Sequence, residues 1–183
     1  MKPLPTIVVP ARLASTRFPR KLLADAGGIP LILRTARRLD KEAPEYEKFF
    51  AVDGEEINLI LTEAGYKTVV TNPDLPSGTD RIAEANKILQ REHIINVQAD
   101  EPLVKREHID ALTQSIQNPQ ADLGTLAVAF ESVDDFLDPN QVKVVLSDAG
   151  FALYFSRSPI PHKRDGNIAV SYTHLTLPTI LRV

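Results

Sequence analysis

Short apolar runs alternate along the chain with longer segments of helical period, which is the pattern of a parallel sheet with helices on its faces. The first run, Thr6–Val9, is apolar apart from its first residue, as expected for a strand covered on both sides. A loop from Pro10 to about Gly28 follows, and Pro30 then begins a helix whose apolar residues share one face. These segments predict a first strand-helix unit.

The same alternation continues beyond this unit. Asp53 is the predicted N-cap of a second helix that ends near Ala64, because Glu56 follows three residues later in a capping-box arrangement. The other predicted elements are strands at Phe49–Val52, Lys67–Val70, Ile94–Gln98 and Leu123–Phe130, and helices at Asp80–Leu89 and about Lys105–Gln117.

A β-hairpin is predicted near the end of the regular pattern. Val142–Leu146 and Phe151–Phe155 are apolar runs that flank Ser147–Gly150, and Asp and Gly supply the turn. An antiparallel hairpin beside parallel units makes a mixed sheet. The predicted fold class is therefore α/β, with a mostly parallel mixed sheet and a late β-hairpin.

Composition and charge exclude several classes of function. The absence of cysteine excludes a disulfide framework, a thiol nucleophile and an iron–sulfur cluster, and favours a reducing compartment. A formal net charge of −3 provides no basic field for a nucleic-acid backbone. The apolar runs are far shorter than the roughly 20 residues that cross a bilayer. We therefore expect a cytoplasmic protein with no nucleic-acid or membrane partner.

The loop after the first strand is strongly basic. Between Pro10 and Lys21 it contains three arginines and one lysine, all before the first acidic residue of the chain, Asp25. Ligands of open α/β sheets bind beyond the carboxyl ends of strands, so a polyphosphate would match this loop in place and charge. The loop contains no glycine and is not a glycine-rich phosphate loop. A solvated basic loop without a ligand is the alternative.

An acidic pair follows the predicted strand Ile94–Gln98. Asp100 is the candidate metal ligand, because Mg²⁺ takes one or two carboxylates together with substrate phosphate oxygens. The alternative for Asp100 is a turn or a helix cap, with Glu101 as a solvent residue.

Two further polar clusters are candidates for binding. Ser77-Gly-Thr-Asp-Arg81 offers hydroxyls just before a helix, where a base edge or an anion could bind, although helix capping explains it equally well. Asn140, Lys143 and Arg157 lie around the predicted hairpin and could meet an acidic second substrate, with exposed strand positions as the alternative.

The order of these signals is more specific than any one of them. The motifs are Pro10-Ala-Arg-x-x-Ser-Thr-Arg-x-Pro-x-Lys21, Ser77-Gly-Thr-Asp-Arg81, Asn96-Val-Gln-Ala-Asp-Glu-Pro102, Asp138-Pro-Asn-x-Val-Lys-Val-Val145 and Ala152-Leu-Tyr-Phe-Ser-Arg-Ser-Pro-Ile-Pro161. Together they closely resemble the 3-deoxy-manno-octulosonate cytidylyltransferase (CMP-Kdo synthetase) family over about Thr6 to Asn167. The resemblance implies a Rossmann-like nucleotidyltransferase fold of the nucleotide-diphospho-sugar transferase type.

The same resemblance implies an activity and its residues. The family uses CTP and Mg²⁺ to activate the acid sugar Kdo for lipopolysaccharide synthesis, usually as a cytoplasmic homodimer. The resemblance implies triphosphate binding by Ser15 and by the proposed catalytic residues Arg12, Arg17 and Lys21. It further implies cytidine binding by Ser77, Gly78, Thr79 and Gln98, a Mg²⁺ ligand at Asp100, and sugar binding by Asn140, Lys143 and Arg157.

The chain departs from the family pattern in three places. Arg20 and Ala99 stand where glycine is common. Family members have roughly 250 residues, and the remainder carries a second metal-binding Asp, a segment that faces the sugar and much of the dimer interface. We expect residues 1–169 to be an incomplete nucleotidyltransferase domain and residues 170–183, which look like translated sequencing-adapter sequence, to be a non-native or disordered tail. Weak or absent activity and an incomplete dimer interface are then expected.

Two alternative functions stay open from sequence. A CMP-sialic acid synthetase is one, although that family's first loop resembles Ala-Arg-x-Gly-Ser-Lys-Gly, unlike residues 11–17 here. A non-catalytic nucleotide-binding module is the other, and only binding and turnover measurements separate it from an enzyme.

Overall fold

The computed structural model describes residues 3–13, 18–161, 172–174 and 179–182. These residues fall into two compact units: the first comprises the described residues within 1–124 and 177–183, and the second those within 125–176. Along the chain the strands are β1 (Thr6–Ala11), β2 (Lys48–Val52), β3 (Thr68–Val70), β4 (His93–Asn96), β5 (Leu123–Gly124), β6 (Ala127–Ala129), β7 (Val142–Leu146), β8 (Ala152–Ser156), β9 (Tyr172–His174) and β10 (Thr179–Arg182). The helices are α1 (Leu31–Glu42), α2 (Glu55–Glu63), α3 (Gly78–Leu89), α4 (Arg106–Ser115) and α5 (Val133–Leu137).

The first unit contains a six-stranded sheet in the order β3-β2-β1-β4-β10-β5. Strands β1 to β4 pair in parallel, whereas β10 runs antiparallel to both β4 and β5. The predicted mostly parallel sheet is therefore confirmed. Its antiparallel strand is β10, however, and the predicted hairpin, β7 and β8, belongs to the second sheet. Among the described residues, no helix is long and apolar enough to cross a membrane.

Strand β1 lies in the middle of this sheet because it is apolar on both faces. All six of its residues are buried, as the uninterrupted apolar run predicts. Helix α3 packs against β1 and β2. The buried cluster between them consists of Val8, Ala51, Val69, Ile82, Ala85 and Ile94.

Helix α1 confirms the periodic pattern that begins at Pro30. Pro30 is its N-cap, where the missing N–H of proline has no cost. Its buried residues recur at helical spacing and are Ile32, Thr35, Ala36 and Leu39. Thr35 is the one polar residue in this stripe, and its hydroxyl contacts the loop that follows β4.

The predicted capping box of the second helix is wrong. Gly54, which has no side chain to cap with, is the N-cap of α2, and the helix begins one residue later than predicted at Glu55. The Asp53 carboxylate instead accepts a hydrogen bond from the backbone N–H of Leu13. A contact over 40 residues of sequence has therefore displaced the local one.

The second unit contains an antiparallel sheet in the order β6-β9-β7-β8. Strands β7 and β8 form the predicted hairpin, and its turn includes Gly150 with φ of 80°. Helix α5 was not predicted from the sequence; Ser132 caps it by accepting a hydrogen bond from the N–H of Asp135. The single strand predicted at Leu123–Phe130 is wrong, because β5 and β6 belong to different sheets.

The described part of the predicted tail is regular structure. Within residues 170–183, β9 pairs with β6 and β7, and β10 pairs with β4 and β5. The three residues of β9 and the four residues of β10 are therefore in strands and not in disordered segments. The non-native origin of the tail stays a prediction.

Candidate active site

The loops after β1 and β4 begin at the same edge of the first sheet. The two strands are adjacent and parallel, with Val8 opposite Asn96, so their carboxyl ends point the same way. The basic loop follows β1, and the segment Gln98–Glu101 follows β4 shortly after the strand ends. This edge is where ligands bind in open α/β sheets.

Lys21 and Asp100 meet at this edge. The Lys21 Nζ lies 2.6 Å from Asp100 Oδ2, and both side chains are close to two-fifths exposed. Lys21 begins a short 3-10 helix, Lys21–Leu23, in which Leu22 is buried. Burial of Leu22 fixes the turn that carries the ammonium group. The lysine predicted to bind triphosphate and the predicted metal ligand are therefore brought together.

Glu101 shares the field of this ion pair. Burial raises the pKa of its carboxyl, the neighbouring Asp100 charge raises it further, and the Lys21 ammonium opposes both. One cation thus faces two acidic residues. This surplus of negative charge suits a site that receives a cation together with phosphate.

Helix α1 holds the loop that carries Asp100. The buried hydroxyl of Thr35 donates to the carbonyl of Ala99 at 2.8 Å, and Arg38 Nε donates to the carbonyl of Val104 at 2.7 Å. These bonds satisfy backbone oxygens that a buried loop would otherwise leave unpaired. This contact was not predicted from the sequence; a hydroxyl within the apolar stripe of α1 is the signal that could have found it.

A second part of the edge is built around Gly78, the first residue of α3. A Cβ atom at this position would lie 3.3 Å from Pro10 Cγ and 3.8 Å from Gln98 Oε1. The helix start, the end of β1 and the segment after β4 therefore approach one another here. Ser77 is the N-cap and accepts a hydrogen bond from the N–H of Asp80, so its predicted alternative role as a cap is confirmed.

The amide of Gln98 has a fixed orientation in this cradle. Its Nε2 donates to Asn96 Oδ1 at 3.0 Å. The carbonyl oxygen Oε1 is the atom that faces Gly78. Gln98 thus presents an acceptor toward the space beside the helix start.

Asp53, Arg12 and Arg81 form the third part of the edge. Arg81 is 1% exposed, and its guanidinium donates to Thr71 Oγ1 and to the carbonyl of Asn72. Burial lowers the pKa of Arg81, and the charge of Arg12 lowers it further, whereas the charge of Asp53 raises it. Arg12 is exposed. Two arginines and one carboxylate therefore act on one another beside the basic loop.

The basic loop is held at its far end as well. Arg20 forms an ion pair with Glu56 in the first turn of α2. Its backbone is left-handed, with φ of 58°. Asp53 and Glu56, at the start of α2, therefore hold the basic loop near its two ends, through Leu13 and Arg20.

The predicted sugar-binding residues lie in the second unit. Asn140 is exposed, and its backbone N–H and side chain both donate to Asp138 Oδ1. Arg157 donates to the carbonyl of Pro139 at 2.9 Å. Contact of Asn140 and Arg157 with a sugar stays a prediction.

Lys143 has a different environment from the one expected of a sugar-binding lysine. It is fully buried, and its Nζ donates to three carbonyls, those of Asp138, Gln141 and Arg157. The ammonium also lies 5.7 Å from the centre of the Phe130 ring. Burial lowers its pKa, and the charge of Asp138 opposes this. All three ammonium protons are used within the protein. They tie Lys143, on β7, to the turn between α5 and β7 and to the residue that follows β8.

The other predicted residues fall into two groups. Arg12, Lys21, Ser77, Gly78, Thr79, Gln98 and Asp100 all belong to the first unit and to segments at or near the edge described above. Ser15 and Arg17 lie outside the described residues. No cluster of three or more His, Asp or Glu residues that could hold a metal occurs in the described ranges.

The chain is similar to known cytidylyltransferases. The cytidylyltransferase family model matches residues 6–182. A 3-deoxy-manno-octulosonate cytidylyltransferase from Polynucleobacter asymbioticus is 42% identical over 173 residues, which cover 92% of this chain and 68% of that protein. One from Thermodesulfovibrio yellowstonii is 45% identical over 86% of this chain and 65% of that protein. The chain thus spans about two thirds of the length of these relatives.

Solved structures agree with the sequence matches. The structure of a CMP:2-keto-3-deoxy-manno-octonic acid synthetase complexed with CTP has a TM-score of 0.91 and 34% identity, and covers 98% of this chain and 74% of that one. A 4-diphosphocytidyl-2C-methyl-D-erythritol synthase has a TM-score of 0.62 at 11% identity, which shows a shared fold alone. The predicted Rossmann-like nucleotidyltransferase fold is confirmed.

Proposed function

Because the chain belongs to the cytidylyltransferase family, we propose that it binds CTP and transfers CMP to Kdo, with release of pyrophosphate, for lipopolysaccharide synthesis. The observation that carries this proposal is the contact between Lys21 Nζ and Asp100 Oδ2 at the ligand-binding edge of the sheet. A lysine beside a carboxylate offers a cation for phosphate oxygens and an anion for a metal. The pair is partly exposed, so it contributes at most about 1 kcal/mol to folding.

The proposed reaction is an in-line displacement at phosphorus. The anomeric hydroxyl oxygen of Kdo forms a bond to the α-phosphorus of CTP, and the bond from that phosphorus to the oxygen bridging to the β-phosphate breaks. Pyrophosphate leaves with the electron pair, and the hydroxyl proton passes to solvent. Such a reaction needs little covalent chemistry from the protein, so position and charge supply most of the acceleration. We assign these roles to Lys21, Arg12 and Arg17.

Asp100 is the residue proposed to hold Mg²⁺. Its side chain is partly exposed and its oxygens are the type of donor that Mg²⁺ prefers. One carboxylate is sufficient where phosphate oxygens and water complete the coordination. When bound, Mg²⁺ would withdraw charge from the phosphate oxygens.

The cytidine is proposed to lie beside the start of α3. Gly78 leaves room there. Gln98 Oε1, a carbonyl oxygen that accepts hydrogen bonds, faces this room because Gln98 Nε2 donates to Asn96 Oδ1 on the other side. An acceptor suits the exocyclic amino group of cytosine, whereas uracil has an oxygen at that position. Ser77 and Thr79 flank Gly78. We therefore expect CTP to bind more tightly than UTP.

Calorimetry and a pyrophosphate-release assay test the proposal. Titration of the chain with CTP in MgCl2 is expected to show saturable binding, with UTP binding more weakly. Release of pyrophosphate is expected with Kdo and not with N-acetylneuraminate, and to be slow in this chain. Lack of CTP binding would overturn the proposal. CTP binding without release would leave a nucleotide-binding module, and release with N-acetylneuraminate would favour the sialic acid enzyme.

The cytoplasmic location and the homodimer expected from the resemblance are further parts of this proposal. Sedimentation velocity tests whether this chain forms the dimer. Fractionation of the source cells tests the location.

A further inference from the structure

Asp53 lies beside the proposed nucleotide site without belonging to any motif that predicted the site. It directly follows β2, and β2 pairs in parallel with β1 so that Val52 lies opposite Ala11. Arg12 and Asp53 are therefore the next residues of two neighbouring strands. The backbone thus places an acidic residue next to the first arginine of the basic loop.

The two carboxylate oxygens of Asp53 have different surroundings. Oδ2 accepts a hydrogen bond of 2.9 Å from the backbone N–H of Leu13. Oδ1 is buried and has no hydrogen-bond partner among the described residues. Leu13 directly precedes the stretch that contains Ser15 and Arg17 in the sequence. The carboxylate therefore fixes the point at which the chain enters the predicted triphosphate loop.

The charges around Asp53 support a positioning role. Arg12 and Arg81 repel each other, and Asp53 attracts Arg81. Arg81 is nearly fully buried and cannot move away, since it holds Thr71 and Asn72. A carboxylate at position 53 offsets the cost of keeping two guanidinium groups in one neighbourhood.

We propose that Asp53 is a positioning residue that anchors the backbone of Leu13 and thereby positions Arg12 and the start of the loop proposed to bind the triphosphate of CTP. This inference rests on the proposed function for the identity of the ligand. Asp53 itself acts through the loop and contacts no phosphate. A negative charge so near a triphosphate would by itself weaken binding, so the anchor and the charge have opposite expected effects on CTP affinity.

Two substitutions separate the anchor from the charge. Asp53→Asn keeps an oxygen that can accept from Leu13 N–H and removes the charge, whereas Asp53→Ala removes both. The matched control is Glu63→Gln, which removes one exposed carboxylate at the other end of α2. If circular dichroism shows that Asp53→Ala does not fold, Asp53→Ser replaces it, because serine fills more of the space left by Asp53 than alanine does.

The first readout is the Kd for CTP in MgCl2. Asp53→Ala is expected to bind roughly 10-fold more weakly than the unsubstituted chain, the loss typical of one hydrogen bond to a charged group, and Asp53→Asn within about 3-fold of it. Rescue by Asn marks the hydrogen bond as the cause. Equal or tighter binding by Asp53→Ala would overturn the inference.

The second readout does not need the proposed function. Trypsin cleaves after lysine and arginine only where the backbone opens, so the rate of cleavage between Arg12 and Leu13, identified by mass spectrometry of the fragments, reports the anchoring at Leu13. Asp53→Ala is expected to raise this rate roughly 10-fold, and Asp53→Asn and Glu63→Gln to leave it near that of the parent. If no chain binds CTP, the proposed function fails, and the cleavage rates still decide whether Asp53 anchors the loop. Equal rates in all chains would refute the anchor.

Discussion

The ammonium of Lys21 and the carboxylate of Asp100 are joined at 2.6 Å across 79 residues of sequence. Both side chains are substantially exposed, so this ion pair contributes at most about 1 kcal/mol to the free energy of folding. The main effect of the ion pair is to fix the positions of the two loops that carry Lys21 and Asp100. The basic loop and the acidic loop are held face to face at one edge of the sheet, where a nucleotide and a metal could bind between them.

Lys21→Ala is expected to slow pyrophosphate release by about 10²-fold relative to the parent chain, the loss typical of removing one preorganised contact to the reacting groups. The unfolding free energy is expected to change by less than about 1 kcal/mol, because the lost ion pair is exposed. Initial rates at saturating CTP and urea denaturation measure the two effects. Lys41→Ala, an exposed lysine on α1, is the control, and parental turnover in Lys21→Ala would contradict the role.

The sequence was sufficient to predict the four parallel strands of the central sheet and the meeting of Lys21 with Asp100 at its edge. The unbroken apolar run of β1 predicts a strand that is buried on both faces. The helical spacing in α1 predicts a helix with one buried face, and both are observed. Motif order then placed Lys21 and Asp100 at the same edge. These features follow from local pattern and from the parallel topology.

Features that depend on distant partners could not be predicted. Asp53 was expected to cap α2 because a local capping pattern is present, yet its carboxylate bonds Leu13. Contact of Lys143 with a sugar stays a prediction. Its burial against the carbonyls of Asp138, Gln141 and Arg157 depends on tertiary packing, which the sequence does not show. At Arg20 the sequence did carry a signal. The resemblance predicted that glycine is common at this position, and the backbone there is left-handed, the conformation that glycine adopts most easily.

Gly78→Ala is expected to weaken CTP binding roughly 10-fold, because the new Cβ would lie 3.3 Å from Pro10 Cγ and would narrow the space beside Gln98. The change in stability should be small, since alanine favours the helix by up to about 1 kcal/mol while the contact with Pro10 opposes it. The control is Gly54→Ala at the start of α2, where a Cβ would meet no described atom within 4 Å. Calorimetry with CTP compares the two. Unchanged affinity in Gly78→Ala would exclude this cradle from the nucleotide site.

Lys143→Met is expected to destabilise the chain by roughly 2–4 kcal/mol, because it leaves carbonyls of Asp138, Gln141 and Arg157 without their donor. Methionine has a similar volume, so loss of packing adds little. Urea denaturation measures the change, and Lys87→Met on the exposed face of α3 is the control. A loss of sugar binding without loss of stability would instead support the sugar-binding role predicted from sequence.

Glu47→Gln is expected to change the acid stability of the first sheet. Glu47 accepts hydrogen bonds from Lys67 and Arg91, and the bond from Lys67 is the main cause that lowers the pKa of its carboxyl. A carboxyl whose pKa is lower in the folded chain stabilises the fold above its unfolded pKa of about 4.3, and this contribution disappears as the pH falls through the folded value. These side chains are more than one-third exposed, so solvent screening limits the contribution to about 0.5–1 kcal/mol at pH 7.

Urea denaturation of Glu47→Gln and of the parent between pH 7 and pH 3 measures this effect. The variant should be less stable at pH 7, and the two curves should converge as the pH falls from about 4.3 through the lowered folded pKa of the parental carboxyl. Glu63→Gln, an exposed carboxyl on α2, should follow the parent throughout. A difference between Glu47→Gln and the parent that persists unchanged at pH 3 would assign the effect to packing around position 47, because a packing defect does not depend on protonation of the parental carboxyl.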